Sequence, residues 1–165
     1  MDWKTPIWNQ FGAALDMLEQ AIHACPNALW GEREDAQGFW YISFHTLFWT
    51  DLYLSGSRDT YKPPAPFTLG ELAPRVLPER LYTKAELLTY LEQVRGRLRA
   101  LLHALTEEGA RQPFQGGSNA GRPLYEMLLY NLRHVQHHAG QLNLLIRQHT
   151  DRSAPEWVSS TPVAF

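Results

Sequence analysis

Residues 123–148 read PLYEMLLYNLRHVQHHAGQLNLLIRQ, with no glycine or proline from Leu124 to Ala139. Leu124, Leu128, Asn131, Val135, His138, Leu142 and Leu145 follow one another at steps of four and three. At about 100° per residue that spacing keeps all of them on one stripe of an α-helix. Two stripe positions, Asn131 and His138, are polar, and buried polar groups need partners. A helix carrying such a stripe must bury it against other elements, so the segment predicts a helical domain around it.

Three more segments upstream carry the same period, and no comparable alternating pattern predicts a strand. Thr5-Pro6 reads as a cap and first helical position, followed by Phe11, Leu15, Leu18 and Ile22, with Cys25-Pro26-Asn27 closing that helix. Residues 26–38 read as a polar connection, with Glu32-Arg33-Glu34-Asp35 as a solvated loop. The second helix runs from about Phe39 to Leu54 and is apolar nearly all round, so a partner subunit or a long loop should cover it. Thr83-Lys84-Ala85-Glu86 is a capping box opening the third helix. Leu87, Leu91, Val94, Leu98, Leu101 and Leu105 then form a bundle seam that ends near Glu108-Gly109. Between the second and third helices, residues 56–82 carry Gly56, Pro63, Pro64, Pro66, Gly70, Pro74 and Pro78 among scattered apolar residues. Connections of this length are functional or packed on the body, so this one is a candidate cover or lid. Four seams that need one another predict an all-α four-helix bundle in one domain, residues 1–149, with residues 150–165 as a tail.

Composition narrows the function classes. The chain has 165 residues, 44% hydrophobic and 19% charged, with 15 basic against 17 acidic side chains. A net charge of −2, with the arginines scattered, gives no electrostatic case for a nucleic-acid partner. No apolar run approaches the ~18–20 residues of a membrane span, and Met1-Asp2-Trp3-Lys4-Thr5-Pro6 lacks a signal-peptide pattern. The single cysteine, Cys25, can form neither an internal disulfide nor a thiolate cage, which favours a cytoplasmic protein. Its place at a helix end before Pro26 suits inert packing.

Seven histidines remain to be placed. His134 and His138, four apart, share a helix face and can present adjacent imidazoles to one ion. With Asn131 at zero, His138 lies about 20° away and His134 about 60°, both toward the interior, whereas His137 lies about 120° away at the rim. On the second helix, Tyr41, Ile42, Phe48, Trp49 and Leu52 all fall within about 60° of His45, which puts it at the centre of an apolar face. No acid pairs with it at helical spacing, and Asp51, about 120° round, is poorly placed. One inward histidine alone usually reads as a hydrogen-bonded core residue. Three of them, His45, His134 and His138, describe a site for a divalent transition metal such as Zn, Ni or Fe with an open position.

At this point the sequence resembles a known family. Asn131-Leu-Arg-His-Val-Gln-His-His-Ala-Gly-Gln141 is similar to the HxxxHxGQ signature of the DinB/YfiT-like superfamily. Trp40-Tyr-Ile-Ser-Phe-His-Thr-Leu-Phe-Trp-Thr-Asp51 resembles that family's second helix with its single metal-binding histidine. The resemblance covers most of residues 3–149. It implies a four-helix bundle with a long connection between helices 2 and 3, holding a divalent metal through His45, His134 and His138. Ala139 departs from the pattern, since relatives often carry a basic residue before the GQ. Asn131 and Gln141 are candidates for orienting ligands, and Trp40, Tyr41, Trp49 and Tyr130 for lining a pocket.

The resemblance implies a thiol-dependent transferase or isomerase with a low-molecular-weight thiol as co-substrate, because a metal lowers the pKa of a bound thiol. A metal-dependent hydrolase uses the same site on water, but needs a general base, and the nearest acids, Asp51 and Glu126, fall off the inner face. A non-enzymatic, metal-stabilised dimeric scaffold is the third reading, suggested by the apolar second helix. A homodimer acting on a small molecule is the expected assembly in the enzymatic readings.

Overall fold

Trp3, not Thr5, is the N-cap of the first helix, and the residue before it, Asp2, supplies the acceptor. Its Oδ1 accepts from the backbone N–H groups of Lys4 and Thr5 at 3.1 and 3.2 Å, so α1 spans Lys4–Ala24. Pro6 then lies in the first turn, where its missing N–H is no loss. The computed structural model describes residues 2–32, 36–73, 76–150 and 155–162, and these contain helices and no β-strand. After α1 come α2 (Asn27–Trp30), α3 (Phe39–Leu54), α4 (Lys84–Ala104), α5 (Glu107–Arg111) and α6 (Leu124–His149).

α2 corrects the expectation of a polar connection over residues 26–38. Leu29 and Trp30 are buried, and the Trp30 indole N–H donates to the Tyr82 carbonyl at 3.0 Å. Of the charge cluster that follows, residues 33–35 lie outside the described residues, while Glu32 pairs with His149 at 2.6 Å. α4 opens with the expected capping box between Thr83 and Glu86 but stops at Ala104, short of the expected end near Glu108-Gly109. Leu105 is extended, and the Thr106 hydroxyl accepts from the Gly109 N–H at 3.0 Å, so a side-chain cap ends one helix and starts another.

α1 and α3 each pack against both α4 and α6. Phe11, Leu15, Leu18 and Ile22 of α1 meet Leu87, Leu91, Val94 and Leu98 of α4 in one buried core. On α6 the buried line is Leu128, Asn131, Val135, Ala139, Leu142 and Ile146. It drifts from the expected stripe at Ala139 and Ile146, because a straight helix turns 3.6 residues and not 3.5 per turn. His138 and Leu145 are thereby left on the flank, facing a cavity instead of the core.

Twelve of the sixteen α3 residues are buried, and the chain's own following segment supplies much of the cover. Phe67 stacks on Phe44 at 5.8 Å and on Tyr90 at 4.4 Å, and Tyr61 meets Phe48 edge-on at 5.4 Å. This connection is not wholly irregular, since Leu69–Leu72 forms a 3₁₀ turn. The described part of the tail lies across α1: Thr161 N–H donates to the Asn9 carbonyl at 3.0 Å, and Gln10 donates to the Ser159 carbonyl at 3.2 Å. No described helix is long and apolar enough to cross a membrane.

Candidate metal centre

α3 and α6 bring three imidazoles to one point. His45, His134 and His138 each offer a ring nitrogen, and these atoms all lie within 4.8 Å of one another. Ring centroids are 5.5 Å apart for His45 and His134, 5.0 Å for His45 and His138, and 4.6 Å for His134 and His138. His134 and His138 stand one turn apart on α6, and α3 crosses beside them. Among the described residues, no other group of three or more His, Cys, Asp or Glu converges in this way.

Each ring is held differently. His138 Nδ1–H donates to the Gln141 side-chain oxygen at 2.6 Å, so Gln141 does orient a candidate ligand. His134 Nδ1 is buried with no hydrogen-bond partner, an orphan that a cation could satisfy. His45 is not enclosed at the centre of a buried face, as its helical position suggested. Its side chain is 30% exposed and opens on the cavity, on the side of α3 that also carries the half-buried Tyr41, Ile42 and Trp49.

Burial holds the His134 imidazole far below its ordinary value, at about 3, and His138, His45 and His137 oppose a proton there as well. Burial likewise brings His138 down to about 4, against its hydrogen bond to Gln141. Both rings are therefore neutral at physiological pH, the form in which imidazole binds a metal. A set of neutral nitrogen donors with one orphaned ring nitrogen fits a divalent transition metal.

The residue that helical spacing missed is Glu71, from the 3₁₀ turn of the connection. Its Oε1 accepts from His45 Nδ1–H at 2.6 Å and from the Trp49 indole N–H at 3.2 Å. Its Oε2 accepts from the Tyr41 hydroxyl at 2.8 Å. The carboxylate is 3% exposed. An isolated acid within the apolar run Phe67–Leu72 of a loop that had to pack on the body was the available signal.

Other candidates divide. Tyr41 and Trp49 line a cavity of about 780 Å³ beside His45 and His138, with Ile42, Leu72, Leu144 and Leu145 as further walls. Trp40 is buried in the core, and Tyr130 packs edge-on against Tyr53 at 5.3 Å. Asn131 ties the two helices together, donating to the Thr50 carbonyl at 3.0 Å. His137 is exposed at the rim, as expected. Asp51 is buried, not off the inner face, but it pairs with Arg97, Tyr61 and Tyr90 and not with a histidine. Ala139 is wholly buried, so a long side chain at that position would have to displace core atoms. Cys25 is buried too, and burial pushes its thiol up to about 12.

A family model described as the DinB superfamily matches residues 10–142 of the chain. Comparisons with curated proteins and with solved structures give no match.

Proposed function

This chain belongs to the DinB superfamily, and from that premise we propose that it is a divalent-metal-dependent thiol S-transferase or isomerase. In this reading α1, α3, α4 and α6 form the four-helix bundle of a single domain over residues 1–149. His45, His134 and His138 hold the ion, and a small molecule enters the adjoining cavity. The carrying observation is the convergence of three imidazoles, two of them held neutral, at the edge of a cavity of about 780 Å³. That volume suits a ligand of metabolite size. A transition metal with an open position lowers the pKa of a bound thiol, giving a thiolate nucleophile near neutral pH.

The chain's residues divide the remaining work. Gln141 accepts from the His138 ring and aims it. The reacting thiol comes from a co-substrate, because Cys25 is buried and held protonated. Tyr41, Trp49, Leu72, Leu144 and Leu145 give the cavity an apolar wall that suits the uncharged body of an electrophile. Hydrolysis is less well supported. Glu71 is the acid in the cavity wall, and both of its oxygens already hold donors.

Metal content of the purified protein tests the reading, beside His45→Ala and His138→Ala. About one equivalent of transition metal in the wild type, lost in both folded variants, supports the centre and opens a screen of thiols and electrophiles. No metal after reloading with zinc or nickel overturns it. Metal bound with no thiol-dependent turnover across the screen removes the transferase assignment alone.

A further inference from the structure

Glu71 is an unusual way to seat a loop. Phe67 and Tyr61 already pack the connection onto α3 and α4 through their rings. A buried carboxylate is costly unless donors surround it, and an apolar residue would hold the turn at less cost. Its three donors are Tyr41, His45 and Trp49, which lie four residues apart along α3 on the cavity side. The middle one, at 2.6 Å, is a candidate metal ligand.

We infer that Glu71 is a positioning residue of the metal centre, fixing the tautomer and aim of His45, so that the connection between α3 and α4 completes a site the helices alone leave loose. A ring nitrogen that donates its hydrogen to a carboxylate is not free to ligate, so the contact leaves Nε2 as the ligand atom of His45. The carboxylate also makes that nitrogen a stronger donor. Tyr41 and Trp49 hold the carboxylate in place, one on each oxygen. Since both oxygens are engaged and the side chain is 3% exposed, Glu71 acts through His45 and takes no proton from substrate. The inference rests on the metal-site reading given above.

The experiment is competition for Co²⁺ against a chromophoric chelator, using the full chain as wild type, Glu71→Gln and Glu71→Ala. Circular dichroism checks the helices, and the cobalt ligand-field spectrum reports the donor set. Loss of an outer-shell partner typically costs about 10–100-fold in metal affinity. Glu71→Gln should bind Co²⁺ about tenfold more weakly, and Glu71→Ala more weakly again with a shifted cobalt band. A folded Glu71→Ala within about threefold of the wild type, with an unchanged spectrum, overturns the inference. Should Glu71→Ala lose its helical signal, Glu71→Gln decides by itself, and unchanged affinity there overturns it. A wild type that takes up no Co²⁺ removes the metal reading and this inference together. A wild type that binds, beside variants that bind equally well, removes only the role of Glu71.

Discussion

Arg97 Nη1 stands 2.6 Å from Asp51 Oδ1, and the two ends of this contact differ sharply in exposure, at 44% for the arginine and 1% for the aspartate. Tyr61 and Tyr90 donate to the other carboxylate oxygen at 2.9 and 3.1 Å, so one acid pins the connection and α4 to α3. The asymmetry predicts unequal losses. Arg97→Ala leaves a buried carboxylate with two hydroxyls and no cation, at a cost of about 2–4 kcal/mol. Asp51→Asn keeps an oxygen for the tyrosines and lets Arg97 turn to water, for about 1 kcal/mol. Urea unfolding measures both, and the reverse order would count against this account.

Protons should destabilise the metal-free protein in a definite window. His134 and His138 are held at about 3 and about 4, against 6.5 for an unperturbed histidine. As pH falls through 6.5 the unfolded chain gains protons that the folded chain refuses, so stability present above that pH is lost progressively toward about pH 4 and 3. Thermal melts after chelation, from about pH 7.5 to 4.5, should show this slope. His134→Leu, which fills the same buried space without a titrating ring, should flatten part of it. Equal slopes in the two proteins would sink the argument.

Helical periodicity made the core legible because core burial is what periodicity records. Phe11, Leu15, Leu18 and Ile22, and Leu87 through Leu98, all lie where their spacing puts them. The histidine pair was legible for the same reason, as two polar residues on an apolar helix with a third upstream. Four things were not. Glu71 reaches His45 from a separate element, and no periodicity links a loop residue to a helix face. The position of His45 on the cavity side of α3 could not be read from a helix whose apolar residues run all round it. The start of α1 and the end of α4 involve backbone N–H groups donating to the side chains of Asp2 and Thr106, which hydrophobic spacing does not record. Short α2 was hidden because Leu29 and Trp30 form less than a full helical period.

Gly12 governs the seat of the tail. A Cβ built there would stand 2.9 Å from the Thr161 Cβ, closer than carbon atoms approach, so Gly12→Ala must push residue 161 off α1. The alanine itself favours the helix by about 1 kcal/mol, which offsets much of what the seated tail contributes, so global stability should change by less than about 1 kcal/mol. The tail should respond much more. Limited proteolysis should cut residues 155–162 of Gly12→Ala several-fold faster than in the wild type, with the helical body intact. An unchanged cleavage rate would show that the hydrogen bonds to α1 do not hold the tail in solution.

Two exposed leucines near opposite ends of α6 separate the cavity from the general surface. Leu144, 53% exposed, lines the cavity beside His138, whereas Leu129, 50% exposed, lines a groove formed with the start of α1 and with α5. Neither is buried, so Leu144→Asp and Leu129→Asp should both fold and retain metal equally. If the cavity takes the apolar body of a substrate, Leu144→Asp removes part of a leucine's contact, worth about 1.4 kcal/mol, and weakens binding about tenfold. Thiophenol binding to the cobalt-loaded protein, followed by its charge-transfer absorption, reads this directly. Leu129→Asp should bind as the wild type does. Equal binding by all three proteins would move the substrate away from the Leu144 wall, and loss of cobalt from Leu144→Asp would trace the effect to the metal instead.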